Sequence, residues 1–401
     1  MNRLFFGLCA SAVGCAIALQ FPATANAASK EKVLHSFGSG TDGEYSLASL
    51  IKVKRMLYGT TYAGGTNGQG TVFSINRGTG AETVLYSFGS SGTDGEFPVA
   101  NLIYVKGVLY GTTEFGGTDG LGTVFSVDMK TGAETVLHSF GSSTDGAEPS
   151  GNVIDVNGTL YGTTNDGGTN GGGTVFSVNR KTGAETVVYS FCGQQNCADG
   201  EEPANGLIDV NGTLYGTTFV GGANDCSGRG CGALFALDPS SGAETVLHSF
   251  GSGTGDGAGP SASLLYMNGT LYGTTVAGGI YEAGLGTVFS VNPTTGAEAV
   301  LHSFGNGSDG ISPVGNLIDV NGTLYSTTFG GGNGNHGGTV FKINPTTGAE
   351  KVIYFFCSQQ NCADGTQPDA GLIDVKGTLY GTTELGGAYG SYGTVFAIKK
   401  P

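Results

Sequence analysis

The sequence predicts an all-β fold, a seven-bladed β-propeller of four-stranded antiparallel blades, and three observations predict it. The segment Leu-Tyr-Gly-Thr-Thr, or a near copy, places Tyr58, Tyr110, Tyr161, Tyr215, Tyr272, Tyr325 and Tyr380 at steps of 52, 51, 54, 57, 53 and 55 residues. Gly-Thr-Val-Phe or a variant places Phe73, Phe125, Phe176, Phe235, Phe289, Phe341 and Phe396 in the same rhythm. Val-Leu-His-Ser-Phe or a variant ends at Phe37, Phe88, Phe140, Phe191, Phe250, Phe304 and Phe356. A unit of about 50 residues holding several short strands and glycine turns is the pattern of a propeller blade. A calcium-binding parallel β-helix would show nonapeptide periods, and none occur.

Each element follows in chain order. Residues 1–27 are expected to be a cleaved signal peptide: Arg3 precedes an apolar run, and Ala25-Asn26-Ala27 forms a small-residue cleavage site. Ala12-Val13-Gly14-Cys15 loosely resembles a lipoprotein box, but the apolar run continues past Cys15. A short linker, 28–32, precedes a single repeat domain over 33–401. Later apolar runs fall short of the ~20 residues that cross a bilayer. A secreted or periplasmic monomer without a membrane span is therefore expected.

Residues 151–191 show the unit clearly. Strand a is expected over Val153 to Val156, b over Thr159 to Thr164, c over Thr174 to Asn179 and d over Glu185 to Phe191. Asn157-Gly158 between a and b signals a two-residue hairpin, since both positions need positive φ. Lys181-Thr182-Gly183 makes the c-to-d turn. The repeat domain starts with a d strand, Val33 to Phe37, and stops after a c strand, Thr394 to Ile398. The first strand should therefore complete the last blade and close the ring, which leaves no open strand edge.

The "LYGTT…GTVF…GAETVLHSF" unit resembles the GloVer tandem repeat of exported bacterial proteins, over about Val33 to Ile398. The resemblance implies a repeat fold and export; it implies no activity. The anchored members of that family carry C-terminal anchors, whereas this sequence ends in Lys399-Lys400-Pro401.

Composition narrows the function. A formal charge of −15 excludes nucleic acid as a partner, because phosphate binding needs clustered Lys and Arg. The d-to-a and b-to-c connections are long and share one face. They carry thirteen acids between blades and six within blades, against one basic residue, Arg229. Such a face repels anions. It suits a neutral glycan, a cation or a protein ligand.

Six cysteines remain after the leader, as C-x4-C pairs: Cys192 and Cys197, Cys226 and Cys231, Cys357 and Cys362. In an exported chain they suggest local disulfides, with zinc as the competing reading. Asp-Gly recurs between blades at Asp42, Asp94, Asp145, Asp199, Asp256, Asp309 and Asp364. The plain reading is a turn in which Asp bonds its own backbone; the sharper one is a ring of calcium sites. No other cofactor is indicated. His35, His138, His248 and His302 share a repeat position with Tyr86, Tyr189 and Tyr354, which favours packing over base catalysis.

Residues that break the repeat are the ligand-binding candidates: Glu114, Asp166, Asp225, Arg229, Tyr281, Glu282, His336, Glu384, Tyr389 and Tyr392. No Gly-x-Ser-x-Gly elbow, His-x-x-Glu ligand cluster or phosphate loop occurs. The sequence therefore favours a non-catalytic binding protein. The alternative is a carbohydrate-active enzyme, glycosidase or lyase, using carboxylates of the same face such as Glu114 and Asp166.

Overall fold

The computed structural model describes residues 31–141, 144–203, 205–226, 228–281, 284–333 and 337–400. The leader reading over 1–27 lies outside them. Among the described residues the strands form seven antiparallel blades in the order a-b-c-d, with a innermost. In blade 3 the strands are Ile154–Val156, Thr159–Thr164, Thr174–Asn179 and Glu185–Ser190, within a residue of the sequence reading. Asn157 and Gly158 take φ 54° and 94°, as a hairpin of this type requires.

The ring closes as the register of the ends requires. The strand Glu31–Ser36 begins two residues before Val33 and pairs with the final c strand, Thr394–Lys399. Closure is reinforced by Phe37 N–H to Gly393 O (3.0 Å), Tyr45 N–H to Tyr392 O (2.9 Å) and the Thr382 hydroxyl to Ala48 O (3.2 Å).

The core lies between blades. The phenylalanine ending each d strand meets the c-strand phenylalanine of the next blade edge to face, for example Phe88 with Phe125 at 4.9 Å and Phe304 with Phe341 at 5.1 Å. Both members are fully buried, and such geometry adds about 0.5–1.5 kcal/mol to the burial itself. Of the tyrosine landmarks, Tyr110, Tyr272, Tyr325 and Tyr380 are buried, while Tyr58, Tyr161 and Tyr215 are half-buried.

Tyr-Gly-Thr-Thr has a separate task at each position. The Gly clears the ring of Phe in strand c: a Cβ on Gly111 would stand 2.7 Å from the Phe125 ring. Blade 6 has Ser326 there, whose hydroxyl donates to Gly315 O at 2.7 Å. In five blades the first Thr stitches to the next blade, as Thr163 to Asn205 O (2.9 Å) and Thr327 to Ala370 O (2.8 Å), whereas Thr217 accepts from Asn205 of its own blade and the Thr274 hydroxyl is buried without a partner. The second Thr bonds the first residue of strand c, as Thr113 to Thr123 (2.8 Å).

Two features went unforeseen. Strands c and d are joined through a bulge, in blade 2 between Val124 and Phe125, and short ribbons such as Gly43–Glu44 with Ala63–Gly64 order parts of the long loops.

Deleting residues 31–37 removes the closing strand and one phenylalanine pair. The truncated protein is expected to melt earlier and to self-associate through the bared edge of Thr394–Lys399. Melting scans and sedimentation check this, and a monomer with the parent Tm would refute closure as a source of stability.

Candidate functional site

The chain turns toward the axis just before each strand a, and seven such turns surround a cavity of about 300 Å³. Its lining residues belong to the two sets of long connections, so it opens on the long-loop face. One repeat position carries Ser49, Asn101, Asn152, Gly206, Ser263, Asn316 and Gly371 around the ring. Asn101 Oδ1 accepts the Ser49 amide (2.5 Å), and Asn316 Oδ1 accepts the Ser263 amide (2.8 Å). The Gly371 amide donates to Ser49 Oγ at 2.9 Å, and Ser263 Oγ donates to Asn152 Oδ1 at 3.1 Å. That last bond passes over blade 4. It needs Gly206, because a Cβ there would lie 2.1 Å from Asn152 Oδ1.

Two carboxylates share this lining, Glu114 of blade 2 and Asp369 of blade 7. Burial, with a smaller push from Glu384, raises Asp369 to about 6. Burial raises Glu114 too, helped by Glu148, and burial alone raises Glu384. Glu114 and Glu384 both follow strand b directly, held by backbone bonds to Phe97 O (3.1 Å) and Gln367 O (2.9 Å). No described residue lining the cavity is Lys, Arg or His. The site can therefore offer neutral donors and acceptors together with carboxyls whose pKa burial raises.

The remaining candidates lie elsewhere. Asp166 is exposed and outside this lining, so it does not pair with Glu114 there. Asp225 and Arg229 line a second cavity of about 430 Å³. Asp225 caps its own turn by accepting the Gly228 amide (2.6 Å), and Arg229 pairs with Glu202. Tyr281 lines a third cavity, of about 640 Å³, with Asp256 and Glu298. Tyr389 is 52% exposed, whereas Tyr392 packs edge to face on Tyr45 at 5.7 Å and against the closing core. Glu282 and His336 lie outside the described residues.

The sequence reading passed over Asp369 as a site residue, and also the Ser and Asn ring. Asp369 had a signal, since other repeats place Leu47, Val99, Ser150, Ser261 and Val314 at its position.

The Asp-Gly aspartates do the work of turns. Asp42 accepts the amides of Gly38 (2.9 Å) and Ser39 (2.8 Å), and Asp364 accepts those of Ser358 (3.0 Å) and Gln359 (3.1 Å). Each also meets the His or Tyr of the preceding d strand: His35 reaches Asp42 at 3.1 Å, and the Tyr189 hydroxyl reaches Asp199 at 2.9 Å. This explains the interchange of His with Tyr. The d strand of the following blade adds a glutamate at each boundary: Glu82, Glu134, Glu185, Glu244, Glu298, Glu350 and Glu31. Burial raises every one of them to about 7, and the nearby aspartate adds to the rise.

The cysteines pair within their own loops, Cys192–Cys197, Cys226–Cys231 and Cys357–Cys362. In both copies of the Gln-Gln-Asn-Cys loop a single 3-10 turn, Gln195–Cys197 or Gln360–Cys362, carries Asn at positive φ (58° and 56°).

Fold and repeat define a seven-bladed β-propeller with an axial polar cavity. The chain belongs to the Gloeobacter/Verrucomicrobia repeat family, whose model matches residues 19–229 and 194–396. No curated protein matches the sequence. Among solved structures, an oligogalacturonate lyase in complex with manganese is 12% identical over 94% of both chains, with a TM-score of 0.55. An oligogalacturonate lyase from Vibrio parahaemolyticus is 11% identical over 94% of this chain and 95% of its own, also at 0.55. A protein assigned as a 6-phosphogluconolactonase, from Bacteroides uniformis, is 16% identical over 83% and 88%, at 0.50. At these identities the likeness concerns the fold. No described helix is long and apolar enough to cross a membrane.

The glutamate ring sets a pH dependence. A carboxyl whose folded pKa exceeds its unfolded value stabilises the fold in acid, and that stability is lost as pH rises through the folded value. The window runs from about 4.5 to about 7. His35, whose pKa burial lowers, acts in the opposite sense. Tm is expected to rise as pH falls from 8 to 5. Glu134→Gln, beside Tyr86 and Asp94 where no histidine intervenes, should flatten the slope, and an unchanged slope would contradict the assignment.

Proposed function

We propose that the protein is a non-catalytic binding module that takes a neutral glycan in its axial cavity. The observation that carries this reading is the lining itself: serine hydroxyls, asparagine amides and turn backbone from seven blades, with no cationic side chain among the described residues. Sugar hydroxyls donate and accept at once, and such a surface meets them without demanding charge. Glu114 and Asp369 in the lining accept from hydroxyls when ionised and then repel uronate groups. The leader read in residues 1–27 and the three disulfides are compatible with work outside the cytoplasm.

A second reading has its own observation. Glu114 and Asp369 share one cavity, and burial raises both. Paired carboxyls with one held protonated are the equipment of a glycosidase. The enzyme alternative therefore moves from Glu114 with Asp166 to Glu114 with Asp369.

Panels of neutral and uronic oligosaccharides, assayed for retention and for new reducing ends, separate the two. Retention of a neutral oligosaccharide without cleavage is expected, with Asn152→Ala weakening it about tenfold, or about 1.4 kcal/mol. Cleavage that disappears in both Glu114→Gln and Asp369→Asn would establish the enzyme reading, and retention of uronic ligands alone would overturn the neutral-ligand assignment.

A further inference from the structure

At the boundary of blades 4 and 5, His248 ends a d strand, Asp256 sits in the following long loop, and Glu298 opens the d strand of blade 5. One donor atom from each lies within 4.8 Å of the others, a grouping that recurs among the described residues at His138, Asp145 and Glu185. We propose that these three side chains bind a single zinc ion.

The equivalent boundaries show what is particular here. His35, His138 and His302 each stand seven residues before their aspartate and bond it through Nε2 at 3.1 Å. The loop after His248 is one residue longer. Asp256 is held back by the Ser252 amide (2.8 Å), the Ser252 hydroxyl (2.9 Å) and the Gly257 amide (2.7 Å). His248 Nε2 ends 3.3 Å from Asp256 Oδ2, within ion-pair reach but misaligned for the hydrogen bond its counterparts make, and this buried nitrogen is left without a well-formed one. Glu298 Oε1 is likewise buried and without one, as is the same oxygen of Glu31, Glu82, Glu134, Glu185, Glu244 and Glu350, so it is the imidazole that sets this boundary apart. A polar atom left in that state is costly unless something pairs with it. Here the unpaired imidazole nitrogen and two carboxylates, Asp256 and Glu298, come together.

The chemistry of the donor set selects the ligand. One imidazole with two carboxylates suits a divalent first-row ion, and zinc accepts such mixed N/O sets in tetrahedral geometry. Calcium would require six to eight oxygens and gains nothing from imidazole. Two carboxylates balance the double charge of the ion, which removes the repulsion between Asp256 and Glu298. Tetrahedral bonding needs the donors to close to about 3.4 Å from one another, which side-chain rotation can supply. Asp256 and Glu298 also line the cavity of about 640 Å³ beside Tyr281, so an ion can enter and a water can take the fourth position. This inference does not depend on what the axial cavity binds.

The test uses the full chain stripped of metal, titrated with zinc against a chromophoric chelator, with calcium in parallel. One zinc per chain at micromolar affinity or tighter is expected, with cobalt giving the visible bands of a four-coordinate site. His248→Tyr is the informative variant, because Tyr86, Tyr189 and Tyr354 occupy the same repeat position and the fold accepts tyrosine there. It and Glu298→Gln should each weaken zinc at least tenfold. Glu185→Gln, at the boundary where His138 already bonds Asp145, should change affinity less than twofold. Absence of zinc binding at 100 µM, parent affinity in His248→Tyr, a loss in Glu185→Gln equal to that in Glu298→Gln, or calcium binding in place of zinc would each overturn the site. Zinc-edge anomalous scattering from crystals of the unaltered protein gives an answer without variants: a peak beside His248 Nε2 supports the proposal, and a peak elsewhere alone refutes it.

Discussion

The edge-to-face phenylalanine pair between successive blades is the contact on which the rest of the molecule depends. A four-stranded sheet of this length has too little apolar surface to stand alone, and each blade completes its core only on its neighbour. Phe88 on Phe125 and Phe250 on Phe289 are two instances of one joint. Seating that ring over strand b leaves no space for a side chain, and glycine fills the position in every blade but one. Strand d must then deliver its terminal Phe across the boundary. The bulge near its end re-aims the last residues, and His138 comes to rest edge-on to Phe140 at 4.7 Å while reaching Asp145.

With the joint fixed, the polar parts of the motif have assigned duties. The first Thr of Tyr-Gly-Thr-Thr bonds a carbonyl of the next blade in five of the seven blades, so hydrogen bonding there follows the same boundary as the aromatic contact. The closing boundary between blades 7 and 1 is built like the internal ones: Phe37 meets Phe73 at 5.1 Å, and Thr382 reaches Ala48 O at 3.2 Å. The ends of the chain thus meet in a joint made by a strand rather than by a covalent link. The short turns carry cations that lie over tyrosines of the preceding blade, Arg77 on Tyr380 and Arg180 on Tyr110 among them. This leaves the opposite face acidic.

Most of the fold was legible in the sequence because the repeat supplies seven readings of one pattern. The hairpin at Asn157-Gly158, the four strands of each unit and the closing strand follow from local propensity and register, which act over a few residues. The local disulfides follow from the C-x4-C spacing. The candidate site was legible only in part. Glu114 stood out as a charge and does line the axial cavity. Tyr392 stood out as a loop aromatic, yet it packs on Tyr45 in the closing core, because exposure depends on what the neighbouring blade brings. Asp166 shares a repeat position with no other acid, but its loop carries it away from the axis. The Ser49, Asn101, Asn152, Ser263 and Asn316 ring has no local mark at all. These are ordinary turn residues until closure places them side by side.

Repetition also determines where specificity can arise. At the rim, the His or Tyr, Asp and Glu of each boundary recur around the whole ring, so a role that any boundary can fill is structural. The departure at His248 comes from one inserted loop residue, and it changes what the imidazole can bond. At the axis the situation is reversed. One repeat position holds Ser, Asn, Asn, Gly, Ser, Asn and Gly in turn, and no rotation of the ring maps that order onto itself. Asn152 crosses blade 4 only because Gly206 is bare, and Asp369 interrupts a position that is apolar or serine elsewhere. A ligand centred on the axis therefore meets seven backbone turns of one shape carrying side chains of unequal reach. It can be held in a single orientation, which an exact seven-fold cavity could never impose.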